Sequence, residues 1–92
     1  TGALPARYKT VTYRVDVAKS GALTVLLYGP TGSVVDLYLR KDMAPTTATY
    51  DAKAAGATSD PLITQQVTAG SYYVMLRTRK GSGQYTILGS VQ

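Results

Sequence analysis

Tyr and Arg recur at alternate positions in two segments, Asp36-Leu37-Tyr38-Leu39-Arg40 and Tyr73-Val74-Met75-Leu76-Arg77. That spacing puts them on one side of an extended strand, since successive side chains point to opposite faces. Tyr38, Arg40, Tyr73, Met75 and Arg77 are the candidate binding residues. Aromatics beside Arg supply flat contact area at low entropy cost together with directional donors. If the two strands are neighbours, the five form one patch suited to a peptide, a fibrous protein or a glycan. The competing reading has Tyr38 and Tyr73 capping the sheet or burying against a neighbouring domain. Asp36 shares their face, and an Asp inside a strand is disfavoured unless something uses it; pairing with Arg40, Arg77 or a backbone amide is the expected use.

Catalysis has little to work with. The chain has no His, Cys, Glu, Asn, Trp or Phe. That removes Ser-His-Asp and Cys-His systems, an imidazole acid or base, and zinc sites of the Cys/His kind. A paired-carboxylate mechanism would have to use Asp16, Asp36, Asp42, Asp51 and Asp60, none of which stands at a recognised acid/base spacing. Nothing in sequence marks Lys9 or Lys53 as a nucleophile. The reading is a chain that is not an enzyme, with no catalytic residue, metal ligand or cofactor.

The elements that would position the patch are short and β-patterned. Turn signals at Ser20-Gly21, Gly29-Pro30-Thr31-Gly32, Ala44-Pro45-Thr46, Asp60-Pro61, Ala69-Gly70 and Lys80-Gly81-Ser82-Gly83 divide the chain. Lys9 to Val17 alternates, with Val11, Tyr13, Val15 and Val17 inward. Leu23, Val25 and Leu27 form the next inner face, while Leu26 and Tyr28 make the other side apolar enough for a strand covered on both faces. Val34 to Arg40, Ser71 to Thr78 and Gln84 to Val91 complete the strong strands, and Thr47 to Ala52 and Pro61 to Val67 are weaker ones. Ala52 to Asp60 reads as a mobile connection. Tyr13, Tyr72 and Tyr85 fall on inner faces and replace the missing Phe and Trp, each with a hydroxyl that needs a partner. No 3.6-residue stripe competes. About seven or eight strands in 92 residues predict one all-β domain, an antiparallel β-sandwich, with residues 1–8 as a linker or irregular segment.

The formal charge of +5 attracts polyanions in general, with concentrations at Arg77, Arg79, Lys80 and at Arg40-Lys41. It reads first as a solvated surface. Nucleic acid is a disfavoured partner, because the ribonucleoprotein Gly-Phe-type strand motif is missing and the tyrosines are wanted by the core. The longest apolar runs are about half a membrane span. Starting at Thr1 without a signal-like run, the chain reads as a processed or excised soluble piece of something larger.

The order of these motifs resembles the bacterial pre-peptidase C-terminal domain, the accessory domain of secreted peptidases. Tyr13-Arg14-Val15-Asp16-Val17 is similar to that family's first core strand, and Gly21-Ala22-Leu23-Thr24-Val25 to its Gly-x-Leu-x-Val pattern. Val35-Asp36-Leu37-Tyr38-Leu39-Arg40 is the most specific part. Gly70-Ser71-Tyr72-Tyr73-Val74-Met75-Leu76-Arg77 with Gly83-Gln84-Tyr85-Thr86-Ile87 resembles the closing hairpin. The resemblance spans about Tyr13 to Ser90 and implies a jelly-roll-like connection. It further implies a secreted bacterial accessory domain, related to collagenase collagen-binding domains, that binds or presents a polymeric substrate, either a protein fibre or a polysaccharide, for a parent catalytic domain. The alternative is a structural or maturation domain that packs on its parent enzyme and is removed after secretion. A monomer is expected. Related collagen-binding domains carry an acidic, Asn-containing segment before the first strand that helps bind calcium; here Thr1 to Lys9 has no Asp, Glu or Asn, which speaks against calcium.

Overall fold

A computed structural model describes residues 2–6, 8–54 and 60–92. They form eight strands: β1 (Gly2–Ala3), β2 (Thr10–Val17), β3 (Gly21–Tyr28), β4 (Val34–Lys41), β5 (Ala52–Ala54), β6 (Leu62–Val67), β7 (Gly70–Lys80) and β8 (Gln84–Val91). β1 pairs with β8, β2 with β7, β3 with β6 and β4 with β5, all antiparallel. The chain is therefore one long hairpin rolled up on itself. Pairing of β3 with β8 and of β4 with β7 completes two four-stranded sheets, β1-β8-β3-β6 and β2-β7-β4-β5. The result is the antiparallel sandwich expected from the sequence, with a jelly-roll strand order.

The two-residue period decides the core. Val35, Leu37 and Leu39 of β4 are fully buried, joined by Tyr72, Val74 and Leu76 of β7. Leu23, Val25, Leu27, Ile63, Val67 and Tyr85 face them from the other sheet. Each fully buried Leu contributes about 1.5–3 kcal/mol through loss of apolar surface to water. Val11, Tyr13 and Val15 pack on the core only in part, because β2 is an edge strand. The inner tyrosines satisfy their hydroxyls locally. Tyr72 donates to the Thr68 carbonyl at 3.1 Å and accepts from its amide at 3.0 Å, and the hydroxyls of Tyr13 and Tyr85 bond to each other.

Three sequence expectations are revised. The N-terminal segment is anchored: Gly2 and Ala3 pair with Tyr85 and Gln84, Leu4 is buried, and its amide donates to the Gly83 carbonyl at 2.8 Å. Thr47 to Ala52 is not a strand; the pairing residues are Ala52–Ala54. Thr46 explains the shift, since its Oγ1 accepts from the amides of Ala48 and Thr49 and its own amide donates to the Thr49 carbonyl, a local turn that competes with the ladder. The rest of the connection expected to be mobile, residues 55–59, lies outside the described residues. Finally, β3 is covered on one side only: Tyr28 is 50% exposed and Leu26 is half-buried.

At the β7–β8 turn, Gly81 takes a φ of +92°. A Cβ there would lie 2.8 Å from Cβ of Ser33, so the turn needs glycine for both its conformation and its clearance.

Candidate functional site

The outer face of the β2-β7-β4-β5 sheet gathers the candidate residues in rows. Arg14, Tyr73 and Arg40 stand opposite one another on β2, β7 and β4; Thr12, Met75, Tyr38 and Lys53 form the next row; Thr10, Arg77 and Asp36 the third. Tyr73 and Arg40 are thus cross-strand neighbours, as are Met75 and Tyr38, at the roughly 5 Å spacing at which side chains on one face touch; Arg77 stands opposite Thr10 and Asp36, one row further along the same face of β7.

Their exposure differs from what alternation suggested. Tyr38 is 4% and Met75 5% exposed, although both sit on the outward face. Tyr50 accounts for part of this cover. It follows a turn and lays its ring 5.4 Å from that of Tyr38, tilted by 57°. Lys53 then places Nζ 5.4 Å from the centre of the Tyr50 ring. Tyr38 and Met75 therefore support the surface from beneath, and Tyr73, Arg40 and Arg77, each half-exposed, remain available at it.

Two further aromatics were missed. Tyr8, in the segment read as linker, is 52% exposed, with the Arg77 guanidinium 5.1 Å from its ring centre. Tyr50 lay in a weak strand candidate. The only signal in sequence was residue type, since neither belongs to a clear alternating run.

Charged groups frame the rows. Arg14 Nε donates to Asp16 Oδ1 at 2.9 Å, and Ser71 Oγ donates to the same oxygen at 3.1 Å. Those two hydrogen bonds hold the Asp16 carboxyl below its ordinary range, and the Arg14 guanidinium is held more firmly protonated by the same contact. The pair holds Arg14 beside Tyr73 and offsets its charge, so the net positive charge of these rows comes from Arg40, Lys53 and Arg77.

Asp36 behaves differently. It is 2% exposed, and burial pushes its carboxyl up, against the pull of Arg79, Arg77 and Lys53. Among the described residues neither Arg40 nor Arg77 forms the expected ion pair with it, although Arg77 stands directly opposite on β7. Its ion partner is Arg79, Nε to Oδ2 at 3.8 Å, while Oδ1 has no hydrogen-bond partner. A β-bulge is responsible: Val34 stands opposite Lys80 and Val35 opposite Thr78, which leaves Arg79 as the extra residue beside the Asp36 row.

An apolar cleft of about 250 Å³ opens between the sheets, lined by Tyr13, Val15, Val25, Val74 and Ile87 with Arg14 at its rim. It brings together no acid, base and nucleophile. Among the described residues no group of three or more Asp could hold a metal ion, and no helix is long and apolar enough to cross a membrane.

The family model of the bacterial pre-peptidase C-terminal domain matches residues 9–78. Among solved structures, the chain is similar to the pre-peptidase C-terminal domain of collagenase from Bacillus anthracis, at 18% identity and a TM-score of 0.77, over 97% of this chain and 84% of that one. At that identity the likeness speaks for the fold. No curated protein matches the chain.

Proposed function

The chain belongs to the bacterial pre-peptidase C-terminal domain family, an accessory domain, and on that footing we propose that it binds a polymeric substrate, a protein fibre or polysaccharide, for a secreted bacterial hydrolase. The hydrolase on this reading is a peptidase, and the setting is extracellular. The row Arg14, Tyr73 and Arg40 carries the proposal. It lays an aromatic between two guanidinium groups on a sheet face, and Arg77 on Tyr8 extends it along the strand direction. An extended polymer can lie across such a surface, with the ring giving contact area and the guanidinium groups reaching carbonyl or hydroxyl oxygens. Tethering then raises the local concentration of substrate without new chemistry.

Retention on fibrillar collagen, chitin and cellulose tests this reading. Tyr73→Ala/Arg40→Ala should lose retention while thermal unfolding stays close to wild type. Retention by none of the three, or retention indifferent to this variant, would sink it and favour the structural or maturation role, which deletion from the parent enzyme would then expose as lost solubility or stability.

A further inference from the structure

The opposite face of the sandwich has a different character. Leu62 on β6, Leu26 on β3 and Leu88 on β8 stand directly opposite one another and point outward, because Val25, Leu27 and Ile63 beside them point into the core. Leu62 and Leu88 are each 53% exposed. Tyr28, 50% exposed, lies next to the row on the same side of β3. Three leucines in a cross-strand row with a neighbouring aromatic form a contiguous apolar patch, unlike single apolar residues scattered on a surface.

Charge sets this face apart. No Lys, Arg or Asp occurs anywhere in β3, β6 or β8, whereas β2, β7, β4 and β5 carry Arg14, Arg40, Lys41, Lys53, Arg77, Arg79 and Lys80. A chain of net charge +5 repels its own copy through any face that bears those cations. The three strands of the β8-β3-β6 face bring no like charge to such a contact, and the cations of the far sheet are set back by the sandwich's own thickness, about 10 Å between sheets and comparable to the screening length in physiological salt.

We propose that the β8-β3-β6 face is a homodimer interface, in which the row Leu62, Leu26 and Leu88 packs on a second copy of this chain about a two-fold axis lying in the interface beside Leu26. The row is suited to an isologous contact, because Leu26 is its centre and a leucine flanks it on each side, so the row superimposes on its own reverse. The molecule measures 35 × 24 × 20 Å, so one side of the sandwich is large enough to hold the roughly 800 Å² per partner of a standard interface, with the leucine row and Tyr28 as its apolar part and Thr24, Thr64 and Thr86 beside them. Sheets packing in this way align within about 30° of each other. The arrangement departs from the monomer expected from sequence and leaves the Tyr73 and Arg77 faces of both copies outward, so that two binding faces would act together.

Sedimentation equilibrium of the 92-residue chain between about 10 μM and about 1 mM, the range in which a modest apolar interface associates, is the test. The expected result is a reversible dimer that is not weakened by salt. Leu62→Lys/Leu88→Lys should weaken it by about 100-fold or more, whereas Tyr73→Ala/Arg77→Ala on the other face should leave it unchanged. Both lysines would enter half-exposed sites, and the unfolding temperature reports whether the fold survives; should it not, Leu88→Ser alone reads the same face with a smaller shift. A chain that stays monomeric at about 1 mM overturns the proposal, as does a dimer indifferent to these changes. Loss of polymer retention in Leu62→Lys/Leu88→Lys without any dimer to lose would reassign the face to polymer, and protection of the face only when a further domain is attached would reassign it to that domain.

Discussion

Tyr13 on the edge strand β2 and Tyr85 on β8 meet hydroxyl to hydroxyl across the two sheets. Tyr85 is buried, and burial, with the Tyr13 hydroxyl second, pushes its pKa up to about 12 from an ordinary 10.0. In the unfolded chain the phenol releases its proton at the ordinary value. The folded state thus holds the proton over a range where the unfolded state does not, and stability present below pH 10.0 is lost as pH rises toward 12. Urea midpoints followed from pH 9 upward should fall in wild type and fall less in Tyr85→Phe. At neutral pH the same variant should cost about 1 kcal/mol by leaving the Tyr13 hydroxyl without its partner; parallel pH profiles for the two proteins would contradict the assignment.

Asp36 predicts a gain from removing a charge. Its carboxyl is pushed above the ordinary 3.8 mainly by burial, so the contribution of the protonated form is present below pH 3.8 and is lost as pH rises through the folded-state value. Its partner Arg79 is half-exposed at 3.8 Å, a weak compensation. Asp36→Asn should raise the unfolding temperature by a few degrees at pH 7 and show little difference from wild type below about pH 3.8. A variant less stable at pH 7 would mean that the Arg79 contact outweighs burial.

Tyr38 and Tyr73 occupy the same sheet face and should respond in opposite ways. Tyr38→Ala removes a ring that is 4% exposed and in tilted contact with Tyr50, and should cost about 2–4 kcal/mol in denaturant unfolding. Tyr73→Ala at a half-exposed position should cost about 1 kcal/mol or less. Leu37→Ala, in the core beneath, sets the upper scale at about 3–5 kcal/mol. Equal losses for the two tyrosines would remove the distinction between support and surface.

Gly81→Ala tests the β7–β8 turn. It combines a φ of +92° with a contact of 2.8 Å to Ser33 and should destabilise by about 1–3 kcal/mol. Gly32→Ala is the control, having a positive φ but open space around it; the smaller loss should be there.

Parity was legible from residue order alone because it is a local property of the extended backbone. Val35, Leu37 and Leu39 had to part from Asp36, Tyr38 and Arg40, and the same held for Tyr72, Val74 and Leu76 against Tyr73, Met75 and Arg77. The inward tyrosines and the sandwich followed from that alternation and from the turn residues that divide it. Non-local pairing decided the rest. Only the rolled hairpin sets β4 beside β7 and so joins Arg40 to Tyr73. Tyr50 reaches Tyr38 only by way of the turn after β4, and only the bulge brings Arg79 to Asp36. The exposed Leu62, Leu26 and Leu88 row exists because three strands distant in sequence lie side by side. A face is written in the period of one strand; what stands next to it, and what covers it, depends on contacts between segments that carry no mark of each other.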